Sequence, residues 1–301
     1  MEIMKRLTWA HLPDPARSAF EAEFGQVLTT STTPPGLTVG IASRVETERR
    51  TVFVKALPAV SPAFPDLDRE RIVGEALPES LPAPRLRWSS TNGWLVLAFD
   101  YVRGRRVDLT RDSAAVMTSL MAVSRLLRSS PLPSLRPISE KIGALMEGAH
   151  AAVDSRPEQI ADVDVYKAVL EKADLTSFEG DSLLHADPAL SNLIFDGSQV
   201  LFVDWALASN GAAWIDTGLL IPALIESGFT PPEAEKWAAQ HPAWSLAPPD
   251  TLDVLSVIRP LFILNKIQAG PDWLAERRRA TLAAHEAWAR HRLKLPAVWP
   301  G

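Results

Sequence analysis

Residues 183–195 read LLHADPALSNLIF. Both ends are apolar, as those of a buried strand would be, yet between them stand His185, Asp187 and Asn192. A buried strand would not choose such hydrogen-bonding side chains. Asp187 and Asn192 lie five residues apart, which suits a loop at a strand end with both side chains turned toward one point. Twelve residues after Asn192, the stretch VLFVDWALAS (200–209) delivers Asp204 from the end of a second apolar run. The four residues DGSQ (196–199) between the runs read as a tight turn. The two runs are therefore expected to form a hairpin carrying Asn192 and Asp204 side by side.

The chain around this stretch has 301 residues, enough for two lobes or one large domain with a full core. Its 47% hydrophobic and 22% charged content is that of a globular protein rather than a disordered one. A formal charge of −5 argues against a non-specific nucleic-acid binder, which needs clustered Lys and Arg, and is compatible with a cationic small-molecule substrate. There is no cysteine, which excludes disulfides and thiolate metal sites and fits a reducing compartment. No apolar run approaches the roughly 20 residues of a membrane span. The start, MEIMKRLTWAHLPDP, lacks the apolar core of a signal peptide. A cytoplasmic protein without membrane contact is expected, and nothing in the sequence sets an oligomeric state.

Texture changes along the chain. Residues 1–30 read as an extended start and then a helix, with Asp14 a candidate cap for PARSAFEAEF, and a Thr/Pro/Gly loop follows. VGIASRVE and TVFVKAL read as strands joined by TERR, and PDLDRERIVGEAL as a helix; APRLRWSS and GWLVLAFDYV are two further strands around TNG. Beyond residue 112 long amphipathic segments take over, at 112–129, 136–153 and 158–173, and again at 215–227, 232–240, 251–268 and 272–293. The expectation is an α+β protein with a small β-rich N-terminal lobe (1–102), a larger helical C-terminal lobe (103–301) and a cleft between them.

His185-x-Asp187-(x4)-Asn192 has the spacing of a kinase catalytic loop, H-R-D-x-x-x-x-N. Phosphoryl transfer gives that spacing a reason: the aspartate takes the proton of the attacking hydroxyl and the asparagine helps hold Mg²⁺. Asp204 can complete the metal site, since Mg²⁺ takes oxygen ligands and commonly one or two carboxylates. A cation for nucleotide phosphates is offered by Lys55, at the end of VFVK. The acidic helix that follows supplies a partner for it, Glu70 or Glu75. An isolated D-x-x-x-x-N recurs in unrelated proteins; the ordered set of lysine, glutamate, HxD(x4)N and aspartate is far rarer.

Taken together, HADPALSN, VDWALAS, AAWIDTGLL, TVFVKAL and LDRERIVGEALPESLPAPRLRW resemble the aminoglycoside phosphotransferase family, small-molecule kinases with a protein-kinase-like fold. The resemblance spans roughly residues 31–293. It implies Asp187 as catalytic base, Asn192 and Asp204 as Mg²⁺ ligands, and Lys55 with Glu70 as the phosphate-positioning pair. It also implies that AFDYVRGR is the hinge, where the backbone of Asp100 and Val102 meets the adenine edge and Phe99 lines the pocket. ATP, with GTP as an alternative, would be the donor, and a small-molecule hydroxyl the acceptor. Three departures stand out. Pro188 follows the base and favours an extended Asp187. TTPPGLTVGIAS (32–43) lacks the G-x-G-x-x-G phosphate loop, and Trp205-Ala206 replaces the Phe-Gly of protein kinases. The short interval between Asp204 and the next helix leaves little room for an activation loop, which disfavours a protein kinase.

Among the remaining polar residues, His185 is read as a brace of the loop and Asp216 as its support from beneath. Trp273 and Trp288, on late helices, are read as core, and ERRRA (276–280) as a solvated face. Asp250, Asp253 and Glu286 are acids that either attract a cationic acceptor or lie at the surface. The alternative to transfer is a nucleotide-binding pseudokinase module, suggested by Pro188 and the atypical phosphate loop.

Overall fold

Val52, Val54 and Ala56 recur at every second position of residues 51–58, and that period decides which face each side chain takes. The computed structural model describes residues 6–34, 40–155, 157–267 and 272–296, except for the side chains of 272–275, 277 and 280. In chain order come α1 (Asp14–Phe24), β1 (Val27–Thr32), β2 (Ile41–Thr47), β3 (Thr51–Pro58), α2 (Phe64–Ala76), β4 (Leu86–Ser90), β5 (Trp94–Asp100) and β6 (Arg105–Arg106). There follow α3 (Leu109–Leu127), α4 (Ile138–Ser155), α5 (Val163–Glu171), β7 (Ser182–Leu184), β8 (Leu193–Phe195), β9 (Val200–Phe202) and β10 (Ser209–Gly211). The last helices are α6 (Ile215–Glu226), α7 (Pro231–Ala238), α8 (Pro249–Ile267) and α9 (Asp272–Arg292). None of the described helices is long and apolar enough to cross a membrane.

The chain forms two compact units, residues 1–106 with 192–208, and residues 107–191 with 209–301. In the first, an antiparallel sheet runs β1-β2-β3-β5-β4. Val52, Val54 and Ala56 of β3 join Val96 and Ala98 of β5 in a core with Leu12, Phe20 and Phe24 around α1. The alternate residues Leu57, Leu95, Leu97 and Phe99 pack with Leu67 of α2. Both faces of the sheet are therefore covered, which explains why five consecutive residues of β5, Leu95 to Phe99, are buried. Gly74 lets α2 approach, because a Cβ there would meet Leu86 Cβ at 3.0 Å. A second sheet in this unit, β6-β8-β9, contains the hairpin expected from DGSQ, with Leu193 opposite Phe202 and Phe195 opposite Val200.

The second unit is helical, with β7 and β10 paired beside the helices. Here α8 packs on α4, α5 and α9, and α6 on α7 and α9. Phe178 and Trp214 are buried against each other with ring centroids 5.8 Å apart. Trp288 is a core residue, 1% exposed, and its indole N–H donates to Glu235 Oε1 at 2.8 Å. In the basic run at 276–280, Glu276 and Arg279 are exposed and Arg278 bonds the carbonyl of Lys266. The Trp273 side chain and residues 35–39 of the expected phosphate loop lie outside the described residues.

Two local expectations need correction. Asp14 is not the cap of α1: Pro13 occupies that position, and Asp14 is the first helical residue, ion-paired with Arg17 three residues on. Pro15 in the first turn needs no N–H there, so the helix starts without a side-chain cap. The Thr-rich stretch ahead of the phosphate loop is β1 rather than loop. As an edge strand with four exposed residues it carries no apolar alternation, and its β-branched threonines settle its conformation.

Candidate active site

Lys55 is the hub of the first unit. It lies opposite Leu97 in the sheet register and so shares the face that α2 covers. On α2, Leu67, Glu70, Val73 and Gly74 form the buried stripe, so helical spacing turns Glu70 toward the lysine. Lys55 Nζ donates to both carboxylate oxygens of Glu70, each at 2.8 Å, and to Asp204 Oδ1 at 2.8 Å. Glu70 is 3% exposed, Lys55 18% and Asp204 45%, so the trio grades from a buried anchor to a carboxylate that solvent reaches. Burial opposes the ammonium charge, but the two carboxylates outweigh it and hold the Lys55 pKa above the ordinary lysine value. Glu75 turns away and accepts two hydrogen bonds from Arg71, each 3.0 Å long.

Asp204 itself sits in the left-handed region, φ 66° and ψ 68°, a conformation that costs a non-glycine residue about 1–2 kcal/mol. The surrounding contacts hold it there. Arg69, next to Glu70 on α2, donates to the carbonyl of Ala206 at 2.5 Å, and Trp205 packs its ring inward with Nε1 on the Phe202 carbonyl at 3.0 Å. Arg6 bonds Thr33 Oγ1 and is within electrostatic reach of Asp204. Neither arginine carries a motif signal in the sequence.

The hairpin brings Asn192 to the same end as Asp204, with the Val203 N–H on the Asn192 carbonyl at 2.9 Å. Its turn is closed by Asp196, whose Oδ1 accepts from the backbone of Ser198 at 2.8 Å and of Gln199 at 2.9 Å, while Gly197 takes φ 105°. An amide oxygen and a carboxylate are hard oxygen donors of the kind Mg²⁺ selects, so this pair fits that ion. Among the described residues no cluster of three or more His, Cys, Asp or Glu is arranged around a metal position.

Of the residues expected at a hinge, Phe99 is 7% exposed in the core cluster beneath α2. The Asp100 N–H is committed to the Arg85 carbonyl at 2.9 Å, and its side chain to Arg87 at 2.7 and 2.8 Å. Val102 follows in the extended, half-buried segment after β5.

In the second unit, Asp187 follows β7 in a loop held from below. Asp216, 4% exposed in the first turn of α6, accepts the His185 N–H on Oδ2 and the Ala186 N–H on Oδ1, both at 2.8 Å. Burial pushes the Asp216 pKa up, against the charge of His185 and the two N–H groups. His185 is fully buried, and its Nδ1 accepts the Asp187 N–H at 3.3 Å. Ala186 between them has φ 60°, and Lys141 of α4 bonds its carbonyl. The loop is therefore gripped at three successive backbone N–H groups, those of 185, 186 and 187.

Comparison with known proteins agrees with this architecture. A mutant aminoglycoside 2'-phosphotransferase-IIIa in its GDP complex superposes with a TM-score of 0.62 at 12% identity, over 90% of this chain and 96% of that one. The ethanolamine kinase of Plasmodium vivax gives 0.58 at 12% identity, over 88% and 83%. The choline kinase of Streptococcus pneumoniae gives 0.52 at 17% identity, over 89% and 97%. These likenesses show a protein-kinase-like fold of the small-molecule kinase type. No curated protein matches the chain by sequence. The profile of the phosphotransferase enzyme family APH matches residues 42–255, so the chain belongs to that family.

Proposed function

We propose that this protein is an ATP-dependent phosphotransferase, with GTP as an alternative donor, that moves the γ-phosphate to a hydroxyl of a small molecule. The observation that carries the reading is the three-way ion pair at Lys55. A lysine held by one buried carboxylate and one half-exposed carboxylate is poised to exchange the outer contact for nucleotide phosphate oxygens. A cytoplasmic setting would supply the donor.

In this reading Lys55, oriented by Glu70, bears on the phosphates of the nucleotide, and the backbone of Asp100 and Val102 with the ring of Phe99 receives its base. Asn192 and Asp204 are the residues that would hold Mg²⁺, which supplies charge neutralisation to the phosphates when bound. Asp187 accepts the proton of the acceptor hydroxyl as its oxygen bonds to the γ-phosphorus and the bond to the β-γ bridging oxygen breaks, releasing ADP. The His185 and Asp216 contacts fix the backbone on which that carboxylate stands. Most of the acceleration then comes from positioning and from fixed charges around a transition state that needs little covalent help. A module that only binds nucleotide has no need of an aspartate loop held at three N–H groups, and this favours transfer over the pseudokinase alternative.

The test is a screen of hydroxylated metabolites and antibiotics for acceptor-stimulated ADP release with Mg²⁺ present. Stimulation by at least one compound, abolished in Asp187→Ala, supports the reading. Nucleotide binding with no stimulated release from any compound favours the binding module.

A further inference from the structure

Resting on that phosphotransferase reading, the groups around Asp187 say something about the acceptor. Between Asp253 and Lys266, Arg259 is the one charged residue in a mostly apolar stretch, VLSVIRPLFILN. It lies half-buried on α8, within electrostatic reach of Asp187 and of His285 on the neighbouring α9. Among the described residues no carboxylate is hydrogen-bonded to it. Holding a guanidinium partly out of water without such a partner is costly, and burial lowers its pKa. His285 is 6% exposed, and its Nδ1 is buried without a hydrogen-bond partner. Two basic side chains with unused hydrogen-bonding capacity are thus within electrostatic reach of each other, and Arg259 is also within reach of the proposed base.

The three acids that the sequence offers to an amine are engaged or turned outward. Asp253 of α8 is held by Arg292 Nε at 2.7 Å, and Asp250 and Glu286 are exposed. Lys141 of α4, which bonds the Ala186 carbonyl, adds a further positive charge beside the same loop. The charge balance is the reverse of what a polyamine or a choline-like acceptor would require.

We propose that Arg259, with His285 beside it, is the acceptor-recognition residue, and that the acceptor is a hydroxylated small molecule bearing an anionic group, a carboxylate or a phosphate. The planar guanidinium presents paired N–H donors that match either oxyanion.

The experiment measures ADP release by the full chain with acceptors of three charge classes: D-glycerate and glycerol 3-phosphate, glycerol, and choline with ethanolamine. The expected result is stimulation by an anionic compound, glycerate and glycerol 3-phosphate distinguishing carboxylate from phosphate. Arg259→Gln should then raise the KM for that compound at least tenfold and leave the KM for ATP within twofold, and Arg259→Lys should recover part of the loss. Equal acceptor KM in Arg259→Gln and wild type overturns the proposal, as does the failure of both anionic compounds to stimulate. Turnover of choline, ethanolamine or glycerol alone that still depends on Asp187 overturns this inference while keeping the phosphotransferase reading. Absence of any Asp187-dependent turnover overturns both.

Discussion

Two aspartate segments are held in opposite ways. Asp204 is gripped by its own carboxylate, which shares Lys55 with the buried Glu70. Asp187 is gripped through its backbone, with Asp216 and His185 accepting the N–H groups of 185, 186 and 187. Each segment contains a left-handed non-glycine residue, Asp204 at φ 66° and Ala186 at φ 60°. The same backbone cost is thus met by a side-chain ion pair in one place and by hydrogen bonds to backbone N–H groups in the other. The difference suits the proposed tasks. A metal ligand and phosphate-steering lysine can exchange partners when a nucleotide arrives, whereas a base has to stay fixed.

Lys55→Ala should break the charge-held segment most severely. It leaves Glu70 buried with no ammonium, and loss of one partner of a buried pair costs about 3–5 kcal/mol. Urea unfolding should show that loss, and nucleotide affinity should fall at least tenfold. The double variant Lys55→Met with Glu70→Leu should regain most of the stability and none of the nucleotide binding, because no buried charge is left unpaired. Asp216→Asn probes the other segment. The amide keeps one acceptor but turns its NH₂ toward a backbone N–H, at about 1–3 kcal/mol, and kcat should fall while the Kd for ATP stays unchanged.

The units should also separate on the pH axis. Burial, reinforced by the Arg259 charge, pushes the His285 pKa well below 6.5. Its share of stability is therefore complete above pH 6.5 and is lost as pH falls below that value, so His285→Leu should flatten the acid limb of a urea-midpoint profile. The Lys55 pKa is raised, so its contribution is complete below 10.5 and is lost as pH climbs through the folded value; Lys55→Met with Glu70→Leu should flatten the alkaline limb. The smallest effect belongs to Asp196→Ala, which removes the turn bonds of an exposed residue and should cost about 0.5–1 kcal/mol by thermal unfolding.

What the sequence made legible follows from where local rules decide. The β8–β9 hairpin could be read because an Asp-Gly turn joins two apolar runs, and Lys55 because one charge interrupts an alternating strand. The lysine's partner was legible only as a choice between Glu70 and Glu75. Tertiary contact resolves it, with Glu70 on the buried stripe of α2 and Glu75 paired to Arg71 one turn away. β1, β6 and β10 escaped because an exposed Thr-rich edge and strands of two or three residues carry no periodicity. Arg6 and Arg69 act across many residues of sequence, where no spacing rule reaches. Arg259 did leave a trace, a lone charge between Asp253 and Lys266 of α8, but its electrostatic partners Asp187 and His285 are distant in the chain.

The most direct test of the central claim is the single-turnover rate of γ-phosphate transfer from ATP to a stimulating acceptor, measured on wild type and Asp187→Asn alongside the Kd for ATP. The account predicts a fall of at least a hundredfold in the variant with an unchanged Kd. Equal rates in the two proteins would contradict it.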